Sequence, residues 1–517
     1  MGDETVHERG PAATGGARIV MLVQNGVIGD SRVQKEAESA AEAGWDVTLL
    51  GRARGKTEET WRLGRAKVRL LPVRSARAPY EVRRAWLRSP LAYGPGPRRS
   101  QREHQVRAWH AAIGERKAGQ ALEAAQRGVL ARAAGRAALL PRRVAVRLAG
   151  SWIRMRVRRT DRFMERRKEL DAPFDRLCNR FWTRTMGVRL WRRFDPGLWE
   201  FETAYGGVID RLKPDLIHAN DFQMLGVGAR AAIRLRSRGR DVKLVWDAHE
   251  FLPGIKPWVE RPRWHAAQMA HEREYAPYAD AVVTVSDALA RLLEAHHRLP
   301  ETPTVVMNTP ALGRFDTADA EPPNLRERCG LAPDVPLMVY SGAAAPQRGL
   351  FDLVDALPQL PKVHCALVIS KPNGKLAREL RRRAAELGAG DRLHTLPYVD
   401  HRQVVPFLSS ADVGLIPIHH YQNHELALIT KFFEYSHARL PIVVSDVETM
   451  GGMVRETGQG EVFRAEDASD LARAVKCVLA DPGSYRAVYA PGLLDQWTWN
   501  SQAERLHALY RRLLADR

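Results

Sequence analysis

Short apolar runs alternate with amphipathic helical stretches twice over in this chain, and that alternation restricts it to α/β architectures built on parallel sheets. Arg18–Val23 (RIVMLV) ends in the polar turn QNGVIGDS. A helical pattern then starts near Asp30, with Val33, Ala37, Ala40 and Ala41 on one face and Gly44 as its stop, and Val47–Leu50 returns as a strand. Such a β-loop-α-β unit opens a doubly wound sheet, whose ligands gather where loops leave the carboxyl ends of strands. Gly26 and Gly29 let the first loop pass close to a ligand, although their spacing is not the GxGxxG of a dinucleotide site. Lys67–Val73 reads as a further strand. The alternation resumes with strands at Asp215–Ala219, Lys243–Asp247, Ala281–Val285 and Thr304–Met307, separated by helices at Met224–Arg236, Trp264–Tyr278 and Asp287–His296. Asn308–Pro323 lacks periodicity and reads as a linker. A second series then runs from the strand Pro336–Tyr340 and the helix Leu350–Leu360 to the helix Asp467–Leu479.

The expected architecture is α/β, with two Rossmann-like doubly wound domains facing a cleft and a long, basic, mainly helical insert in the first. In residue numbers, a disordered tail spans 1–17 and the first domain 18–307 with its insert at 74–199. The linker is 308–323, the second domain 324–485, and 486–517 forms a closing helix that packs back toward the first domain.

Charge separates the insert from the rest. The net charge of +20 is not spread evenly: residues 74–193 hold 31 Lys+Arg against 9 Asp+Glu, leaving 49 against 51 elsewhere. Helical patterns appear around Gly119–Leu139, Val144–Val157 and Phe174–Arg193. One places Leu148, Trp152 and Met155 on a common face beside Arg147, Arg154 and Arg158. Two readings stand side by side: a basic amphipathic surface for an anionic membrane or other polyanion, with Trp152, Met155, Trp182 and Trp191 as anchors, or a helical hairpin whose arginines face water.

The four cysteines (Cys178, Cys329, Cys365, Cys477) form no CxxC pair, and no His cluster stands at metal spacing, so neither a disulfide framework nor a zinc site is expected. The first eighteen residues are polar, and no apolar run is long enough to span a bilayer. The expectation is a cytoplasmic protein, attached peripherally, if at all, to the inner face of the plasma membrane.

In Ile418–Asp446 a loop rich in His and Asn leads into a helical segment where Lys431 and Glu434 are three apart, hence on one face. A cation and an anion beside a helix amino end hold a phosphate and a sugar diol together.

The segments DSRVQKEAESAAEAGWDVTLL, DLIHANDFQML, VWDAHE, ADAVVTVSDALARLL, VVMNTP, YSGAAAPQRGLFDLVDAL, ADVGLIP and KFFEYSHARLPIVVSD resemble, in order, family 4 of the retaining glycosyltransferases. The resemblance covers about residues 18–73 and 200–510 and implies the GT-B fold. It implies glycosyl transfer from a nucleoside-diphosphate sugar to a glycan, lipid-linked or other hydroxyl acceptor, with retention. No metal and no cofactor are implied beyond the nucleotide-sugar co-substrate. Glu434 resembles the second glutamate of the family's E-x7-E motif, which takes the ribose hydroxyls. Leu426 stands where the first is expected, so the chain looks like a branch with an Asn-containing loop (Asn423) and a Lys431–Tyr435 core, with the amides near Ala427–Thr430, at a helix amino end, placed to cradle the β-phosphate. The family's donor-phosphate Arg and Lys correspond to Ala343 and Arg348, after Gly342, with Lys371 as a helper. His218 and Asp221 after one strand, and Asp247, His249 and Glu250 after the next, resemble its acceptor-side and reaction-centre positions. Together with Arg348, the resemblance assigns His218, Asp221, His249 and Glu250 to catalysis, and Gly26, Asp30 and Arg32 to the acceptor side.

Two other functions remain open on the sequence: a sugar-nucleotide 2-epimerase with the same fold, and a polyanion-binding protein acting through the insert. Against the second, no RNA-binding aromatic motif accompanies the arginines, so nucleic acid is not the expected partner.

Overall fold

The computed structural model describes residues 16–73, 89, 91–93, 98–124, 129–169, 173–255, 262–312, 324–400, 403–489 and 492–515. The expected tail therefore lies almost wholly outside the described residues, as do residues 313–323 of the expected linker and 74–88 of the insert. The chain divides into two compact units: Met1–Val73, Phe201–Lys256 and Gln268–Arg517 form one, and Arg74–Glu200 with Pro257–Ala267 the other.

The first unit contains two sheets. One is built from β1 (Arg18–Leu22), β2 (Asp46–Arg52), β3 (Glu59–Leu63), β4 (Ala66–Leu71), β5 (Leu216–Asn220), β6 (Lys243–Ala248), β7 (Ala281–Thr284) and β8 (Thr304–Val305). Its strand order is β3-β4-β2-β1-β5-β6-β7-β8, parallel except for the β3–β4 pair. The chain winds from β1 toward β2 and β4, then returns to β5 on the other side of β1. The switch point lies between β1 and β5, where a doubly wound sheet opens a ligand crevice.

The second sheet comprises β9 (Leu337–Ser341), β10 (His364–Val368), β11 (Leu393–Leu396), β12 (Val413–Ile416), β13 (Ile442–Ser445) and β14 (Gly460–Phe463). Its order is β11-β10-β9-β12-β13-β14 and every pairing is parallel. Here the switch point falls between β9 and β12. Central strands are buried on both faces, as every residue of β5 and β9 is, which is why they read as continuous apolar runs.

Local chemistry sets the helices. Asp30 caps the helix Ser31–Glu42 by accepting from the Val33 amide, and Val33, Ala37 and Ala40 bury against Ile19 and Met21 of β1. Thr498 caps the closing helix Trp499–Leu514, whose Leu506 and Tyr510 join that same core rather than the core of the second sheet. Several elements differ from the sequence reading. The short edge strand β3 was not expected. The helix after β5 starts at Asp221 instead of Met224, and Leu350–Leu360 shortens to Leu350–Ala356 followed by a 3-10 turn containing Pro358.

The second unit is helical. Arg98–Ala124 and Val129–Glu169 form a hairpin joined by an Arg99–Asp161 ion pair at 2.7 Å. Thr160 Oγ accepts from the Tyr93 amide, and Arg156 Nε donates to the Leu91 carbonyl. The pieces expected at Gly119–Leu139 and Val144–Val157 do not stay separate, because the second helix runs on through Pro141. Trp191 corrects another expectation: it is fully buried against Trp199, not an exposed anchor. Among the described residues no helix is long and apolar enough to cross a membrane.

Candidate active site

The loop after β1 is held in a strained shape. Val27 has φ 66°, unusual for a β-branched residue, and its amide donates to Asn25 Oδ1 at 2.8 Å. Asn25 in turn donates to Asp30 Oδ2 at 2.7 Å. Asp30 therefore serves as a helix cap and loop anchor, and Gly26 lies half-buried in the turn between them.

Behind this loop lies a buried charged cluster. Arg32 donates to both oxygens of Asp247, at 2.8 and 2.9 Å, and to the Val306 carbonyl at 2.7 Å, and its Nε is 3.0 Å from Glu36. The guanidinium is thus committed inside the fold, whereas the sequence reading put Arg32 on the acceptor side of the cleft. His218 is moved in the same direction: it is fully buried, with Nδ1 bonded to Tyr510 Oη at 2.6 Å, so its ring lies beneath the cleft surface. Burial opposes charge on Asp247, yet Arg32 and His249 hold it well below the usual carboxylate range. Burial pushes Glu36 well above that range, against the pull of Arg32.

Glu36, His218 and Asp247 bring their ligand atoms within 4.8 Å of one another, a spacing suited to a metal ion. The Arg32 fork already occupies both Asp247 oxygens, so a guanidinium fills the role of the cation.

Asp247 projects its effect forward. His249 Nε2 is 3.2 Å from Asp247 Oδ2; burial lowers the affinity of that imidazole for a proton, but the carboxylate outweighs it and raises His249 to about 9. Asp221, beside it at the end of β5, has φ 68° and is pushed up to about 6, chiefly by removal from water. Glu250 is exposed and within electrostatic reach of His249 and of Arg348 in the second domain.

The opposing wall comes from the β9 and β12 switch point. Gly342 follows β9, and a Cβ there would come within 2.9 Å of the Tyr340 hydroxyl. Arg348 ends a 3-10 turn, and its Nε is buried without a hydrogen-bond partner. Gly349, at φ 65°, permits the close packing of this turn on Pro417. Lys371 is exposed after β10. No side chain caps the helix Thr430–His437; Lys431 Nζ donates to Glu434 Oε2 at 2.6 Å, and Glu434 is otherwise buried.

Direct bonds tie the two walls. Asn423 accepts from the Phe251 amide at 2.9 Å and donates to the Phe251 carbonyl at 3.1 Å, so its amide is spent on a bridge and not on the donor position expected of it. Ser286 Oγ donates to the Leu426 carbonyl at 2.6 Å, and Asn308 Nδ2 donates to Thr430 Oγ at 2.8 Å. Sequence reasoning missed Lys35. It is buried, donates to Asn308 Oδ1 at 2.8 Å and to the Thr309 carbonyl, and lies over the Trp499 ring; burial lowers it to about 7. Tyr398 was missed too. Burial raises its phenol, which Arg348 lowers and Glu434 raises further, placing it within electrostatic reach of both donor-side charges.

Residues 323–491 match the family described as Glycosyl transferases group 1, and residues 142–310 that described as Glycosyltransferase Family 4. Both matched descriptions are of glycosyltransferases. A D-inositol 3-phosphate glycosyltransferase from Geodermatophilus obscurus is 26% identical over 231 residues, 43% of this chain and 50% of that protein. The enzyme of that name from Xylanimonas cellulosilytica is 31% identical over 280 residues, 47% of this chain and 65% of the relative. The chain thus spans between half and two thirds of these relatives' length. Among solved structures, sucrose-phosphate synthase from Thermosynechococcus elongatus superposes with a TM-score of 0.62 at 17% identity, covering 97% of this chain and 100% of that one. Anabaena Alr3699/HepE in complex with UDP-glucose gives 0.55 at 14% identity, covering 96% and 100%. The fold is GT-B.

Proposed function

We propose that this chain transfers a glycosyl group from a nucleoside-diphosphate sugar to a hydroxyl acceptor in the cleft between its two Rossmann-like domains. The observation that carries the proposal is the opposition of two strand-end walls tied by the Asn423–Phe251 pair: one wall presents Arg348 and the Lys431–Glu434 couple, the other Asp221, His249 and Glu250. The family supports a glycosyl-transfer reaction, and HepE, with UDP-glucose bound, supports a nucleotide-sugar donor.

In this reading Glu434 takes the ribose diol, and Arg348, Lys431 and the uncapped amides of the helix Thr430–His437 stabilise the departing diphosphate. Arg348 offers a planar fork suited to two phosphate oxygens, and its free Nε is available to one of them. Developing charge on the leaving group is then met by fixed cations, the basis for proposing a metal-independent reaction. His249, held as a cation by Asp247, stands where the acceptor hydroxyl and the sugar meet, and Asp221, with its raised affinity for a proton, is the group that takes the hydroxyl proton. Retention is the stereochemical outcome proposed, with the acceptor entering on the face the diphosphate leaves. The proposed acceptor is a glycan or lipid-linked hydroxyl.

The test is a thermal-shift screen of UDP-, GDP-, ADP- and dTDP-sugars, followed by product analysis with the stabilising donor. Transfer to an added acceptor supports the proposal. Isomerised donor in the absence of acceptor supports an epimerase instead.

A further inference from the structure

The helix Val129–Glu169 exposes large apolar side chains where a hairpin in water should show polar ones. Leu140, Val144, Leu148 and Trp152 are 58%, 48%, 67% and 52% exposed. Their spacing of four drifts about 40° per step around a helix, so the four form one continuous stripe over about a third of its circumference. Arg143, Arg147, Arg154 and Arg158 are all exposed along one flank of that stripe. On the same helix Ala145, Val146 and Ala149 line an apolar groove of about 380 Å³ with Trp109 and Ile113 of the partner helix. On the separate helix Pro173–Met186, Leu177 and Phe181, again four apart, are 64% and 56% exposed.

We propose that this helical hairpin docks on an anionic lipid surface, with the Leu140–Trp152 stripe immersed at the boundary between headgroups and acyl chains. The occupant follows from charge and polarity together. Residues 74–193 carry 31 bases against 9 acids, so an anionic surface attracts the segment, and each arginine long enough to reach the headgroups keeps its charge in water while its stem lies along the acyl region. A nucleic acid would satisfy the arginines but leave four aliphatic and indole side chains in water; lipid satisfies both. The inference rests on the proposed glycosyl transfer for its purpose, bringing the chain to a lipid-linked acceptor, but its chemistry belongs to the helix alone.

Flotation of the full chain with two kinds of vesicle tests it: phosphatidylcholine alone, and phosphatidylcholine with phosphatidylglycerol. The expected result is flotation with the anionic vesicles only, weakened by salt. Leu148→Glu with Trp152→Glu should lower partitioning at least about tenfold, since even one large apolar side chain withdrawn from lipid accounts for that factor. Both positions are exposed, so the double variant keeps its circular dichroism and melting temperature, and its nucleotide-sugar thermal shift is unchanged. Equal flotation with both vesicle types, or wild-type partitioning by the double variant, overturns the proposal. So does a result in which Arg143→Gln with Arg147→Gln abolishes binding while the double Glu variant binds normally and a single-stranded oligonucleotide displaces the vesicles. Vesicle binding without any nucleotide-sugar shift would count against the glycosyl-transfer reading and leave the lipid surface standing.

Discussion

Gly349 packs so closely on Pro417 that a Cβ at position 349 would lie 1.7 Å from the Pro417 carbonyl oxygen. The contact holds the turn carrying Arg348 against the loop that leaves β12. With φ at 65° as well, the position tolerates no other residue without a backbone shift.

Gly349→Ala is expected to cost about 2 kcal/mol or more, because the neighbour is backbone and not the end of a flexible side chain. Melting temperature and donor affinity should fall together. An unchanged melt would show that the Arg348 turn is not anchored this way.

The Asn423–Phe251 pair predicts a separation of binding from turnover. Asn423→Ala removes two hydrogen bonds between the domains, each contributing about 0.5–1.5 kcal/mol, so turnover is expected to fall roughly tenfold while donor affinity stays within a few fold. Steady-state kinetics beside calorimetric donor binding measure the split.

Arg32→Ala should be among the most damaging changes in the first domain. It leaves Asp247 and Glu36 buried without their cation, a loss of about 3–5 kcal/mol, readable as a lower urea midpoint. This cluster also shows where the sequence is silent. Arg32 and Lys35 sit in the helix SRVQKEAESAAE, where charged residues read as a solvated face, and their partners Asp247 and Asn308 lie over two hundred residues away.

The same limit explains His218. Alternation along a strand distinguishes inside from outside only when one face meets water, and β5 is buried on both, so IHAND could not reveal that its histidine points beneath the cleft. The two Rossmann-like domains were legible because each strand is a short apolar run followed by a periodic helix. Glu434 and Lys431 were legible as a pair because both lie on one short helix. The hairpin was read only in fragments, since Pro141 signals a break that the helix does not make.

His249 gives a pH prediction with a definite sign. Its affinity for a proton rises from the ordinary imidazole value of 6.5 to about 9 on folding, so the protonated form stabilises the fold. That stabilisation is fully present below pH 6.5 and is lost as pH rises toward 9. His249→Gln should therefore be less stable than wild type near pH 6, and the gap should close by about pH 9. Chemical denaturation of both proteins across this range measures it.

Calorimetric titration of the stabilising nucleotide-sugar into wild type, Glu434→Ala and Arg348→Ala tests the central claim most directly. The account predicts saturable binding by wild type and a loss of at least about tenfold in each variant, in line with removing a charge-assisted hydrogen bond to the ligand. Wild-type affinity in both variants, with their folds intact, would contradict it.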